Sequence, residues 1–189
     1  MPQNSLDILV QRNLDRSLSR ISRISTGKWR AAMVNSYPAS PRAVLARYAA
    51  EPSVAVFTKL DALPLGAVML VKPEDVECVS RGFTGHSFPA SGRISKADEI
   101  MLTELGNILL NAAVDSLLNA LKRSALPAIP LLLEGDAAAL SERAAGLLAM
   151  DAPGRAVSAA LSLECEGLAV WTLHVFIPED LAREIEALP

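Results

Sequence analysis

Two stretches far apart in this chain echo each other. Met69-Leu-Val-Lys-Pro-Glu-Asp-Val76 is matched by His174-Val-Phe-Ile-Pro-Glu-Asp-Leu181. Each is an apolar strand end running into Pro-Glu-Asp. That tripeptide opens a helix well, because proline fits the first turn and acidic groups suit the positive helix end. Two common helix starts can coincide by chance. The echo gains weight because the elements before each copy read in the same order.

The first copy ends a series that begins with a helix over 5–26. Leu6, Leu9, Val10, Leu14, Leu18 and Ile21 recur there near the helical period, and Gly27 supplies the stop. A strand over 28–37 follows. Ser40 and Pro41 then open a short helix reaching about residue 50. Strands over 54–60 and 65–72 pair as a hairpin about the turn 61–64, and Pro73 begins a further short helix. Residues 82–93 are dense in Gly, Ser and Pro and read as a loop. The second series has its longest helical pattern at 95–122, ended by Pro127 and Pro130. It continues with a strand at 129–133, a helix at 136–150 and a hairpin of 157–165 with 168–177, bent at Glu166-Gly167. A short helix follows Pro178.

Helix, strand, helix, strand, strand therefore occurs twice. The expected fold class is α/β of the layered α+β kind, as one domain over 1–189. Two half-repeats, about 5–80 and 95–189, would be related by a pseudo-twofold. Their strands would merge into one mixed or antiparallel sheet carrying the two long helices.

The composition suits such a core. Of 189 residues, 51% are hydrophobic and only 4% aromatic, so Leu, Ala and Val must fill most of it. The net charge is −3, without the basic excess that nucleic-acid binding requires. No apolar run approaches a membrane span of ~18–20 residues. The beginning of the chain lacks a signal peptide's basic and apolar regions. The expectation is a cytoplasmic protein with no nucleic-acid or membrane partner. Cys78 and Cys165 then read as buried thiols rather than a disulfide. The two histidines, His86 and His174, have no metal-ligand spacing, so no metal is expected.

The long helix carries the chemistry. At about 100° per residue, Leu102, Leu105, Leu109, Ala113, Leu117 and Ala120 fall on one side. Glu104, Asn107, Asn111, Asp115, Asn119 and Lys122 fall on the other. Glu104 and Asn107 stand at i and i+3 and so share one surface. Ile100 and Leu118 share the angle of Asn107 and Asn111, which puts apolar groups on the polar side. That mixture describes a partner-contacting face as well as a plain solvated one.

Glu104-Leu-Gly-Asn107-Ile-Leu resembles the Glu-x-x-Asn core of the CheC/CheX/FliY chemotaxis phosphatases. Their pattern continues with proline after 22 intervening residues, and that count from Asn107 ends on Pro130. Two departures stand out. The family usually has Asp or Ser four residues before the Glu, where this chain has Ile100. A second motif, carried by two-site members on the first helix, is absent: Val10 replaces the Glu before Asn13, and Ser36 stands where the proline would be.

The resemblance implies a phosphatase acting on the aspartyl phosphate of a CheY-type response regulator. Asn107 and Glu104 would be catalytic, Asn107 by orienting the attacking water and Glu104 by pairing with the receiver's lysine. Ile100, Asn111 and Leu118 would contact the partner, and Pro130 would shape the chain after the helix. The protein would need no cofactor of its own, magnesium being supplied by the receiver. A CheD-like protein is a second implied partner, and the edges of an open sheet would allow a homodimer. Two other readings remain open. One is a non-catalytic binding module, the role the resemblance assigns to the FliM middle domain. The other is an unrelated α/β enzyme pairing Glu104 with a histidine. The arginines at 12, 16, 20 and 23 read as a solvated basic face, or else as a docking face for an acidic receiver.

Overall fold

A computed structural model describes residues 4–48, 52–60, 62–86 and 94–188. Six α-helices and six strands occur among them. They run α1 (Ser5–Ile24), β1 (Lys28–Pro38), α2 (Pro41–Leu45), β2 (Ser53–Lys59), β3 (Gly66–Val71), α3 (Val76–Thr84), α4 (Lys96–Ala120), β4 (Leu131–Gly135), α5 (Ala137–Ala144), β5 (Gly154–Glu164), β6 (Leu168–Pro178) and α6 (Glu179–Glu186). Short 3-10 turns at Ala46–Tyr48 and Pro73–Asp75 extend α2 and precede α3.

The strands form one sheet in the order β1-β5-β6-β3-β2-β4, with every neighbouring pair antiparallel. Exchanging β1 with β4, β2 with β5 and β3 with β6, then reading backwards, returns the same order. The topology thus has the pseudo-twofold that the repeated element order implies. The hairpin of one half meets that of the other at the β3–β6 pair. The first strand of each half pairs with the second strand of the other half: β1 with β5, and β4 with β2.

Strand alternation divides the interior into two cores. Val54, Val56, Ala67, Met69, Val157, Ala159, Leu161, Trp171, Leu173 and Val175 point to the side of α1 and α4. Ala55, Phe57, Val68, Leu70 and Phe176 point to the side of α2 and α5. Both tryptophans lie in the first core, Trp29 edge-on to Trp171 with ring centroids 5.7 Å apart. Edge-on contact aligns the positive ring edge with the negative face.

Local signals explain most element ends. Asn4 caps α1, its side chain accepting from the Leu6 amide. Ser40 and Asp136 do the same for α2 and α5. Ser95 and Asp98 form a reciprocal capping box at the start of α4. Gly85, at φ 78, closes α3 in the left-handed conformation that glycine tolerates. Part of the loop expected over 82–93 is helical, since α3 runs to Thr84, and residues 87–93 lie outside the described residues. The helix expected over 136–150 ends at Ala144 and gives way to turns. The long helix also stops before its prolines. Lys122 takes a left-handed φ of 52, its amide donating to the Asn119 carbonyl and the Arg123 amide to that of Leu118. That pairing satisfies the carbonyls a helix leaves open at its end.

By length and composition alone α4 would suffice to span a membrane, but most of its apolar side chains are packed in the first core. Cys78 and Cys165 are free and half-buried rather than buried. They are neighbours, the Cys78 thiol lying 3.7 Å from the Cys165 carbonyl. Burial raises the pKa of the Cys78 thiol.

Candidate functional site on the long helix

The site begins with a glycine. Gly106 is buried where α4 crosses β2, and a Cβ there would lie 2.6 Å from Cγ1 of Val56. The missing side chain lets the helix backbone sit directly on the sheet. Leu105 beside it is fully buried in the first core, whereas Glu104 and Asn107 reach the outer surface of the helix.

Glu104 is exposed and Asn107 half-exposed, one turn apart on that outer surface. Asn111 is half-buried, and its Nδ2 donates to Asn107 Oδ1 at 2.8 Å. Apolar residues flank the polar pair. Ile100 is 56% exposed, and Ile108, which the sequence reading passed over, is 39% exposed. Ile108 lies about 40° round the helix from Glu104, so its angle was the available signal. Asp115 extends the face by a further turn, and partial burial raises its carboxyl pKa.

One expected contact is corrected. Leu118 is only 4% exposed and belongs to the first core. Its helical angle matches the outer face, but at the end of the helix it is enclosed in the same core cluster as Leu121, and the Arg123 amide bonds its carbonyl. The Arg123–Glu184 ion pair then ties the helix end to α6. Pro130 is half-buried immediately before β4, after a stretch in which the Ala128 amide bonds the Lys59 carbonyl.

The first helix differs at the matching position. Val10 is fully buried among the core residues of α1, whereas Glu104 is exposed. Arg12, Arg16, Arg20 and Arg23 are all exposed, on a helix that packs beside α4.

His174 lies on the opposite face of the sheet from Glu104, in contact with Phe176 of the second core. The two therefore form no acid–base pair. His174 is instead satisfied at both nitrogens, Nδ1 by Ser158 Oγ at 2.6 Å and Nε2 by Tyr48 Oη at 2.9 Å. Tyr37 joins at Ser158, and Tyr48 donates to Thr172. A neutral imidazole carrying its proton on Nε2 lets each hydroxyl donate in one direction along this row. Burial, followed by the Arg47 charge, lowers the His174 pKa to about 4.

Solved structures share this architecture. FliY of Thermotoga maritima matches with a TM-score of 0.63 at 15% identity, covering 97% of this chain and 88% of that one. This is a CheC/CheX/FliY-type fold. The FliM middle domain from H. pylori also gives a TM-score of 0.63, at 12% identity, over 98% of this chain and 96% of that one. The chemotaxis protein CheX from Desulfovibrio desulfuricans gives 0.51 at 9% identity, over 91% and 99%. No protein-family model and no curated protein matches the sequence. The likeness to CheX and FliY accordingly lies in the path of the chain, and function has to be argued from the residues on α4.

Proposed function

We propose that this protein is a CheC/CheX-like phosphatase that removes the aspartyl phosphate of a CheY-type response regulator in chemotaxis or two-component signalling. The observation that carries the reading is Glu104 and Asn107 side by side on the outer face of α4, between exposed Ile100 and Ile108. In this mechanism Asn107 enters the receiver's site and orients a water in line with the phosphorus. Glu104 pairs with the receiver's lysine and sets the docking register. Magnesium belongs to the receiver and carries the developing charge, leaving the phosphatase to position the nucleophile. The isoleucines supply apolar contact around the charged pair.

A second reading is a binding module without catalysis. It is favoured by Ile100 in place of an acid or hydroxyl. It is also favoured by H. pylori FliM, a fold neighbour whose structures include complexes with FliG and with SpeE.

The test follows loss of phosphate from an acetyl-phosphate-labelled CheY-type receiver. Wild-type protein should accelerate it, and Asn107→Ala should reduce the rate by about 10²-fold or more while still binding the receiver. Glu104→Ala should weaken binding as well. An Asn107→Ala protein with wild-type activity would remove Asn107 from the mechanism. Binding without acceleration by the wild type would establish the module reading.

A further inference from the structure

We propose that Asn111 is a positioning residue that decides which end of the Asn107 carboxamide faces the partner. The inference rests on the phosphatase reading for its purpose and on the helix geometry for its substance. Asn111 Nδ2 donates to Asn107 Oδ1 at 2.8 Å, one turn along the same face. Among the described residues Asn107 Nδ2 has no hydrogen-bond partner. The reverse arrangement would enclose the Asn111 amide nitrogen with two unpaired donors in place of one acceptor, so the carbonyl end of Asn107 is held along the helix and its N–H pair is left for whatever docks.

Asn111 does little for the fold. Its own Oδ1 is enclosed and accepts no hydrogen bond among the described residues. A buried acceptor left unpaired is destabilising, and asparagine is a poor helix former in mid-helix. A smaller apolar residue would serve the helix better at position 111. What asparagine adds is control over a neighbouring torsion. The terminal torsion of an asparagine is broad and roughly two-fold, so an unrestrained amide shows its oxygen and nitrogen ends interchangeably. Clamped by Asn111, Asn107 meets its partner as a donor. A donor suits the phosphoryl oxygens and the oxygen of the attacking water, whose second lone pair remains free to face phosphorus.

The experiment compares Asn111→Ala and Asn111→Asp with wild type and with Asn107→Ala, on a phosphorylated CheY-type receiver. Each protein is also followed by thermal unfolding and by ¹⁵N relaxation of the Asn107 side-chain amide. For Asn111→Ala, kcat should fall about ten- to a hundred-fold with KM little changed. Its Tm should stay level or rise, and the Asn107 side chain should lose order. For Asn111→Asp, the carboxylate cannot donate and accepts from Asn107 Nδ2 instead. The side chain stays ordered but reversed, and activity should still be lost. Wild-type kcat in both Asn111 variants, with Asn107→Ala inactive, would overturn the inference and leave the phosphatase reading intact. No acceleration by the wild type would overturn the phosphatase reading, full activity in Asn107→Ala would remove Asn107 from the mechanism, and in either case the relaxation measurement would decide the clamp by itself. An Asn107 side chain equally ordered in Asn111→Ala overturns it, as does loss of activity accompanied by a clear fall in Tm.

Discussion

Val56 lies so close beneath Gly106 that a methyl group on the helix would come within 2.6 Å of its Cγ1. Gly106→Ala should therefore lift α4 from β2 and destabilise the protein by about 1–3 kcal/mol, the usual range for overpacking a filled core. Urea unfolding measures this. Adding Val56→Ala makes room, and the double variant should be more stable than the sum of the two single changes.

The row Tyr37–Ser158–His174–Tyr48–Thr172 should make stability depend on acid. The His174 pKa falls from 6.5 to about 4 in the fold. Below pH 6.5 the unfolded chain takes up a proton that the native state refuses. Stability is thus full above that pH and is lost as pH falls toward 4, by up to about 3 kcal/mol. His174→Gln should flatten the curve of stability against pH between 6.5 and 5, a window above the ordinary carboxylate range. An unchanged slope would show that His174 titrates normally.

Ile100 and Ile108 should matter for docking and little for folding. Each is substantially exposed, so replacement by Asp should change stability by less than about 0.5 kcal/mol. The affinity for a phosphorylated receiver, read by titration, should fall. If affinity stays at the wild-type value in both variants, the partner does not use this face.

Lys122 ends α4 with a left-handed φ of 52. A side chain there is strained against the following carbonyl, and glycine is not. Lys122→Gly should raise stability by about 0.5–1 kcal/mol, seen as a higher urea midpoint with unchanged slope.

Much of this architecture is legible in the chain because its signals are local. Gly27 after the first helix, Ser40 with Pro41, and Pro-Glu-Asp before two helices all act within a few residues. The order of elements, and from it the duplication, follows from such marks. Glu104 and Asn107 are readable for a similar reason, since their spacing places them on one helical surface. Leu118 shows where that method stops. A helical wheel assigns an angle, whereas burial depends on what packs against the helix at that height, and there Leu118 is enclosed in the first core. The row around His174 was illegible for a related reason. Its members come from β1, the turn after α2, β5 and β6, and only the strand register brings them together.

The crossing of β1 to β5 and β4 to β2 means that neither half completes its own sheet. Cut between α3 and α4, each fragment would retain a hairpin and a long helix but leave a strand unpartnered. Two separate fragments would each find the missing strand in the other, as exchanged arms do between subunits of a swapped dimer. The present chain holds such an exchange within one polypeptide. Joining the halves makes their mutual dependence harmless, and it frees the two long helices to diverge, one offering Glu104 where the other buries Val10.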